Sequence, residues 1–238
     1  ATSPNAGNAV QLSSEESLQA ISAIAMRCGG CGAKVGASVL QNALSQLQPV
    51  QRDDVLIGLQ DRDDAAVLRV PPGMALVQTV DFFRAFCDDP YIFGKVAANH
   101  ALGDIWAMGA QAQSATAIAT LPPGVDAKVE DTLMQMMTGA VEVLNEANCA
   151  LVGGHTGEGQ ELALGFAING LIEYEPSGDS PRGDKPKAIL RKSGMQAGDV
   201  LILTKPIGTG TLFAAHAHLA AKGRWIHAQL QSMQVSNR

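Results

Sequence analysis

Five aspartates stand beside apolar segments, and their positions indicate a cation site. Asp63 and Asp64 open a predicted strand over residues 65–68, Asp81 closes one over 74–80, and Asp104 interrupts a small-residue helix over 90–108; the fifth is Asp61. Burying an unpaired carboxylate is costly, so such aspartates favour a cation in a cleft. Oxygen ligands suit Mg²⁺, which commonly bridges phosphates. The alternative is that these aspartates bind no cation: Asp63 and Asp64 would form a solvated turn, Asp81 would cap a strand, and Asp104 would be a surface helix residue.

A glycine-rich loop carries two cysteines, Cys28 and Cys31, shortly before Lys34. This C-x-x-C spacing fits half of a zinc site, a redox dithiol or no function at all. Cys87 and Cys149 supply no second pair, which disfavours structural zinc. Lys34 would favour the thiolate of Cys31 and contact a phosphate, so the loop is predicted to be a mobile reactive arm. A flexible loop with an incidental thiol is the alternative.

Glycines follow a predicted strand that ends at Val152. Gly153, Gly154 and His155 would allow the backbone to approach a phosphate or ribose, although an ordinary glycine turn is the alternative. The segment 204–210 is likewise compatible with either a ligand-binding turn or an ordinary glycine turn. Neither G-x-x-x-x-G-K-[ST] nor a G-x-G-x-x-G after a strand occurs, so P-loop and Rossmann folds lose their main support.

Apolar periodicity outlines the elements that must position these residues. Helices are predicted over 35–47 and 125–148, and strands over 114–121, 162–172 and 199–206. Long strands mixed with long helices indicate an α+β or α/β layered structure. Residues 174–187 are rich in Pro, Gly, Ser and charge and are predicted to be a linker.

Composition excludes several classes of protein. The 238 residues are 46% hydrophobic with a net charge of −6, which fits a globular core and argues against nucleic-acid binding. No apolar run is long enough for a membrane span, and residues 1–8 lack the features of a signal peptide. Four cysteines are too few for a disulfide scaffold. We therefore expect a cytoplasmic protein.

Taken in order, the motifs resemble the selenophosphate synthetase (selenide, water dikinase) family of the aminoimidazole ribonucleotide synthetase superfamily. The resemblance covers roughly residues 27–238. The matching segments are Cys31-Gly-Ala-Lys34, Arg62-Asp-Asp-Ala-Ala-Val67, Thr79-Val-Asp-Phe-Phe83, Asn99 to Gly109, Gly153-Gly-His155 and Leu203-Thr-Lys-Pro-Ile-Gly208. The cysteine–lysine arm together with T-x-D-F-F points to the selenium enzyme rather than to its wider relatives.

The resemblance implies synthesis of selenophosphate from selenide, ATP and water, with release of AMP and phosphate. In that picture Cys31 handles selenium and Lys34 contacts the nucleotide phosphates. Asp64 and Asp104 hold Mg²⁺, with Asp81 close to the metals and the nucleotide. The expected ATP contacts also include Asp61, Arg62, Asp63, Gly153, Gly154 and His155. The implied fold is α+β: a mainly antiparallel sheet backed by two long helices, which forms a homodimer through its sheet edges with a barrel-like centre.

The sequence departs from the family pattern in two respects. Ala33 stands where many members have a second cysteine, and Cys28 is extra. The family also has a second domain with a further metal-binding aspartate, and the chain stops at Arg238 before it. We therefore expect a tail or linker over 1–26, consistent with an upstream fusion partner, an ATP-binding domain over 27–175, and a linker with the truncated start of a second α+β domain over 176–238. Such a fragment is expected to bind nucleotide even if it is inactive.

Three other functions remain open at this point. Another ATP-dependent superfamily member, such as a thiamine monophosphate kinase or a hydrogenase-maturation dehydratase, would keep the aspartates without needing the arm. A redox or metal-binding module would use Cys28 and Cys31 but leave the aspartates unexplained. An inactive binding domain is the third.

Overall fold

The computed structural model describes residues 36–61, 65–173, 190–191 and 194–238. Several residues singled out above lie outside these ranges. They are Cys28, Cys31, Lys34, Arg62, Asp63 and Asp64.

Five helices and six strands make up the described part of the chain. The helices are α1 (Ala37–Ser45), α2 (Pro90–Ala107), α3 (Asp126–Glu146), α4 (Thr209–Ala217) and α5 (Gly223–Gln234). The strands are β1 (Val55–Ile57), β2 (Val67–Leu68), β3 (Met74–Arg84), β4 (Gln111–Leu121), β5 (Ala150–Glu158) and β6 (Ala163–Glu173). The α+β class with a mainly antiparallel sheet is confirmed.

Four of the strands form one sheet in the order β3-β6-β4-β5. Strand β6 pairs antiparallel with both β3 and β4, whereas β4 and β5 are parallel. The parallel pair is connected through α3, because parallel neighbours need a crossover. Strands β1 and β2 form a separate antiparallel hairpin.

Helices α2 and α3 cover one face of the sheet and form the core with it. The apolar side chains between these layers, such as Phe93, Leu102 and Phe166, are fully buried. The two helix backbones approach very closely, since a Cβ added at Gly94 would lie 1.9 Å from the Met136 carbonyl oxygen. Small residues at the crossing are therefore required by packing.

Charged side chains reinforce the same helix pair. Lys95 Nζ donates to Glu142 Oε1 at 2.7 Å, and the Tyr91 hydroxyl donates to the other oxygen of this carboxylate. Both partners lower the pKa of Glu142, Lys95 more than Tyr91.

Two elements begin or end elsewhere than predicted. Asp81 does not close its strand but lies inside β3, opposite Phe166 of β6. Gly153, Gly154 and His155 are not a turn either, because they lie within β5 and pair with β4. In both cases a neighbouring strand supplies hydrogen bonds that extend the element through residues of low strand propensity.

The strand predicted over residues 199–206 is wrong. This segment has no regular secondary structure, and Val200, Leu201 and Ile202 are each more than 80% exposed. A run of β-branched residues forms a strand only when another strand pairs with it, and the described residues provide none.

The C-terminal residues pack against α2 and against the segment that precedes it. The Asn99 side-chain amide donates to the carbonyl oxygens of Met233 and Val235, each at 2.8 Å, and Phe213 contacts Phe86 edge to face. Among the described helices, none is long and apolar enough to cross a bilayer.

Candidate functional site

The first group of candidate residues lies between β3 and α2. Thr79 Oγ1 donates to Asp104 Oδ2 at 2.6 Å, which holds that carboxylate against the strand. His100 Nε2 lies 3.6 Å from Asp81 Oδ2. The structure therefore brings the two predicted aspartates to the same side of the sheet.

His100 was not predicted as a site residue. Its ring packs edge to face on Phe83, with the ring centroids 5.4 Å apart, and most of the side chain remains exposed. The sequence contained one indication of this role. His100 and Asp104 are four residues apart on a predicted helix, and residues i and i+4 share a helix face. That spacing did not reveal the contact with Asp81 across the sheet.

The second group lines a cavity of about 760 Å³ at the other edge of the sheet. Gly153, Gly154 and His155 of β5 form one wall. The loop of the β1–β2 hairpin forms another through residues 58–60 and 65–66, and apolar side chains of α1 and α3 complete it. Its volume lies in the usual range for small-molecule sites.

The two glycines of β5 differ in what requires them. A Cβ on Gly154 would lie 2.3 Å from the Ala117 carbonyl oxygen, so packing against β4 already demands glycine there. A Cβ on Gly153 would meet only the Thr116 methyl group, at 3.9 Å. Packing therefore leaves Gly153 unexplained, whereas close approach of a ligand to the backbone would explain it.

Asp61 lies in the segment that connects β1 to β2. Its carboxylate accepts a hydrogen bond from the Gly58 backbone amide at 2.6 Å, and the Asp61 amide donates to the Gly58 carbonyl. The side chain is thus engaged in shaping the turn that forms the cavity wall. The remainder of the predicted acidic segment, residues 62–64, lies outside the described ranges.

A polar cluster of Arg52, Asp54 and Gln113, here called the clasp, lies outside the cavity lining at the start of the β1–β2 hairpin. The Arg52 guanidinium donates to both Asp54 oxygens at 2.8 Å and to the Asn148 carbonyl at 2.8 Å. Gln113 Nε2 donates to Asp54 Oδ2 at 3.0 Å and to the Arg69 carbonyl at 2.9 Å. The hydrogen bond from Arg52 lowers the pKa of Asp54, and the one from Gln113 lowers it further.

The two groups of candidate residues occupy opposite edges of the sheet. Asp81, Phe166, Ala117 and Gly154 pair in succession across β3, β6, β4 and β5. Three strand spacings separate the ends of this row, which is about 14 Å. Within one chain, therefore, Asp81 and Asp104 are not brought together with Gly153–His155.

The described residues alone do not form a metal site. Within residues 36–61, 65–173, 190–191 and 194–238, no three His, Cys, Asp or Glu side chains are grouped so that they could hold an ion. Asp81 and Asp104 contribute oxygen donors of the right kind for Mg²⁺. The third predicted ligand, Asp64, lies outside these ranges.

The two described cysteines are poor nucleophiles. Burial raises the pKa of Cys87 to about 11 and that of Cys149 to about 12. Thiolate chemistry at neutral pH is therefore disfavoured at both positions.

The sheet face opposite the helices is apolar and open. On β3, Leu76, Val80 and Phe82 point to this face and are each about half exposed or more, and Ile118 of β4 is also exposed. Contiguous exposed apolar side chains are typical of an interaction surface.

Comparison with known proteins defines the class of the domain. Residues 62–172 match the family described as AIR synthase related protein, N-terminal domain. This stretch of the chain is therefore similar to the AIR synthase related family.

The curated relatives it matches are more specific. Selenide, water dikinase of Nitratidesulfovibrio vulgaris strain Hildenborough is 37% identical over 209 residues, which cover 84% of this chain and 56% of the relative. The protein of the same name from Pelobacter propionicus is 41% identical over 188 residues, covering 78% of this chain and 49% of the relative. The predicted resemblance is confirmed, and the chain spans about half the length of these relatives.

The chain is also similar to parts of several solved structures. Thiamine-monophosphate kinase from Stenotrophomonas maltophilia is 26% identical with a TM-score of 0.46, covering 57% of this chain and 40% of that one. Hydrogenase maturation protein HypE in complex with ATP is 21% identical with a TM-score of 0.41, covering 61% and 42%.

Proposed function

We propose that this chain is the nucleotide-binding part of a selenide, water dikinase, which converts selenide, ATP and water into selenophosphate, AMP and phosphate. The observation that carries the proposal is the cavity lined by Gly153–His155. These residues match a motif of the resemblance, and Gly153 has no packing reason to be glycine. The curated relatives support the selenium reaction specifically.

Individual roles follow the same proposal. Cys31 carries selenium, Lys34 contacts phosphate, and the hairpin loop through Asp61 contacts ATP, with Arg62 and Asp63 beside it. Asp64, Asp81 and Asp104 would hold Mg²⁺, which when bound neutralises phosphate charge during phosphoryl transfer. Thr79 and His100 keep Asp104 and Asp81 in place.

A homodimer would join the two groups of residues. The open apolar face of Leu76, Val80, Phe82 and Ile118 is a suitable contact surface for a second copy. When two copies meet along their sheet edges and enclose this face between them, the β5 edge of one copy can lie next to the β3 edge of the other. Each active site would then combine the cavity of one protomer with Asp81 and Asp104 of its partner.

Nucleotide binding tests the proposed cavity. Gly153→Ala should retain the wild-type melting temperature yet bind Mg-ATP at least about tenfold more weakly in calorimetry, because the methyl group blocks backbone approach. Gly223→Ala, at an exposed helix start with nothing within 4 Å of its added Cβ, is the matched control. Absence of saturable Mg-ATP binding by the wild-type chain would overturn the proposed function.

The reaction itself is followed by ³¹P NMR with Mg-ATP and selenide under anaerobic reduction. Selenophosphate formed together with AMP and phosphate is the expected product set. Formation of ADP without selenophosphate would instead assign a kinase-like activity.

Sedimentation tests the dimer. Val80→Asp places a charge on the open face and should shift the chain to monomer at micromolar concentration, since burying a carboxylate there is costly. Val125→Asp, at a valine that is 73% exposed just before α3, is the control and should not change the mass. A wild-type chain that sediments as a monomer would contradict the shared site.

A further inference from the structure

The clasp of Arg52, Asp54 and Gln113 is more polar than stability requires. The Arg52–Asp54 ion pair is largely buried, with less than a fifth of either side chain exposed. Replacing such a pair by apolar residues of similar volume is often neutral for stability or even favourable. Gln113 is fully buried, and its Oε1 has no hydrogen-bond partner among the described residues, which is a further cost.

The connections made by the clasp offer a reason for this cost. Arg52 and Asp54 directly precede β1 and so stand at the base of the hairpin that forms one cavity wall. The Asp54 carbonyl also accepts from the Arg69 amide, just beyond β2, so both strands of the hairpin are held at the same level.

The other ends of the clasp reach the strands behind the cavity. Arg52 donates to the carbonyl of Asn148, two residues before β5, and β5 carries the glycine wall. Gln113 belongs to β4, whose residues Thr116 to Ala119 also line the cavity. Three hydrogen bonds of 2.8–3.0 Å therefore tie the hairpin to β4 and to the start of β5, and two more between Arg52 and Asp54 hold the clasp itself together.

We infer that Arg52, Asp54 and Gln113 are positioning residues that set the width of the cavity, and thereby its affinity for nucleotide. This inference rests on the proposed function. A bidentate guanidinium–carboxylate pair fixes both distance and orientation, which apolar contacts do not. A wall displaced by about 1 Å no longer fits the ligand, and a misplacement of this size is enough to slow a positioned reaction by up to about a hundredfold.

The test separates positioning from stability by removing all the polarity at once. Arg52→Met/Asp54→Leu/Gln113→Met keeps the volume and leaves no charge of the clasp unpaired. The melting temperature of this triple variant should lie within a few degrees of that of wild type. Its affinity for Mg-ATP should be about ten- to a hundredfold lower. A second, milder variant is Arg52→Lys, which keeps the positive charge but cannot make the bidentate contact with Asp54. Its affinity for Mg-ATP should be several-fold lower than that of wild type.

The matched control is a second ion pair, between Lys95 of α2 and Glu142 of α3. Lys95→Met/Glu142→Leu removes a 2.7 Å pair from the same molecule at residues that do not line the cavity. Its Mg-ATP affinity should equal that of wild type.

The outcomes distinguish the inference from the function on which it rests. Wild-type affinity in the folded triple variant and in Arg52→Lys would overturn the inference alone. If the triple variant does not fold, the affinity of Arg52→Lys relative to the control decides. No binding by the wild-type chain would overturn the proposed function and the inference with it.

Discussion

Replacing Gly94 by alanine should destabilise the protein although it improves helix propensity. The added Cβ would lie 1.9 Å from the Met136 carbonyl oxygen and 3.1 Å from the Ala140 nitrogen, both on the backbone of α3. A non-bonded carbon atom ordinarily comes no closer than about 3.5 Å to another atom. The two helices must therefore separate by about 1.5 Å at the crossing. No rotamer change relieves this clash, because backbone atoms make it.

The magnitude follows from two opposed effects. Overpacking a well-filled core costs about 1–3 kcal/mol, and a clash with rigid backbone belongs at the upper end. Exchanging glycine for alanine inside a helix returns about 1 kcal/mol. The net loss is about 2 kcal/mol, which lowers the melting temperature by about 4–8 °C in a chain of this size.

Gly103 in the same helix provides the comparison. Its added Cβ would meet only the Asn237 side chain, at 3.7 Å, which is ordinary contact. Gly103→Ala should therefore raise the melting temperature by about 2–4 °C through helix propensity alone. Urea unfolding and thermal melts of both variants test the reasoning. Equal stability of the two variants would refute it, because only the helix crossing distinguishes the positions.

Three further predictions concern reactivity, pH and the candidate carboxylates. Iodoacetamide at neutral pH should leave Cys87 and Cys149 unmodified in the folded chain, since their raised pKa values reduce the thiolate about a hundredfold or more; peptide mapping checks this. Asp54 has a lowered pKa, so its stabilising contribution exists above about pH 4 and is lost as pH falls through the lowered value. The free energy of unfolding should therefore depend less on pH between 4 and 2 in Asp54→Asn, measured by urea titration. His100→Gln should weaken Mg-ATP binding several-fold, and have no further effect in an Asp81→Asn background.

The long helices were predictable because their patterns are local. Helix length and many small residues locate α2, and apolar residues at helical spacing locate α3, each within about two residues of the observed ends. Strand ends were less predictable, since they depend on partners distant in sequence. Asp81 lies inside β3 because β6 pairs with it, and the apolar run 199–206 stays irregular because no described strand does.

The candidate site shows the same limit in its side chains. Sequence motifs identified Asp81, Asp104 and Gly153–His155 as residues of interest but carried no information on their spatial grouping. Neither the approach of His100 to Asp81 nor the clasp follows from any spacing, because both join elements through the fold. The burial of Gln113 inside β4 could not be predicted, because it depends on the elements that pack beside this strand.

Strand order therefore carries functional consequences beyond the motifs. In the sequence, Asp81 and Gly154 belong to one ordered set of motifs, yet the order β3-β6-β4-β5 places them at opposite ends of a single row. A ligand held by the glycine wall is about 14 Å from Asp81 of the same chain, and the core-forming strands β6 and β4 intervene. Motion within one chain cannot close this gap without breaking the sheet. A ligand that contacts both groups must therefore either span this distance along the sheet or lie between two copies of the chain, and the exposed apolar face offers a surface for a second copy.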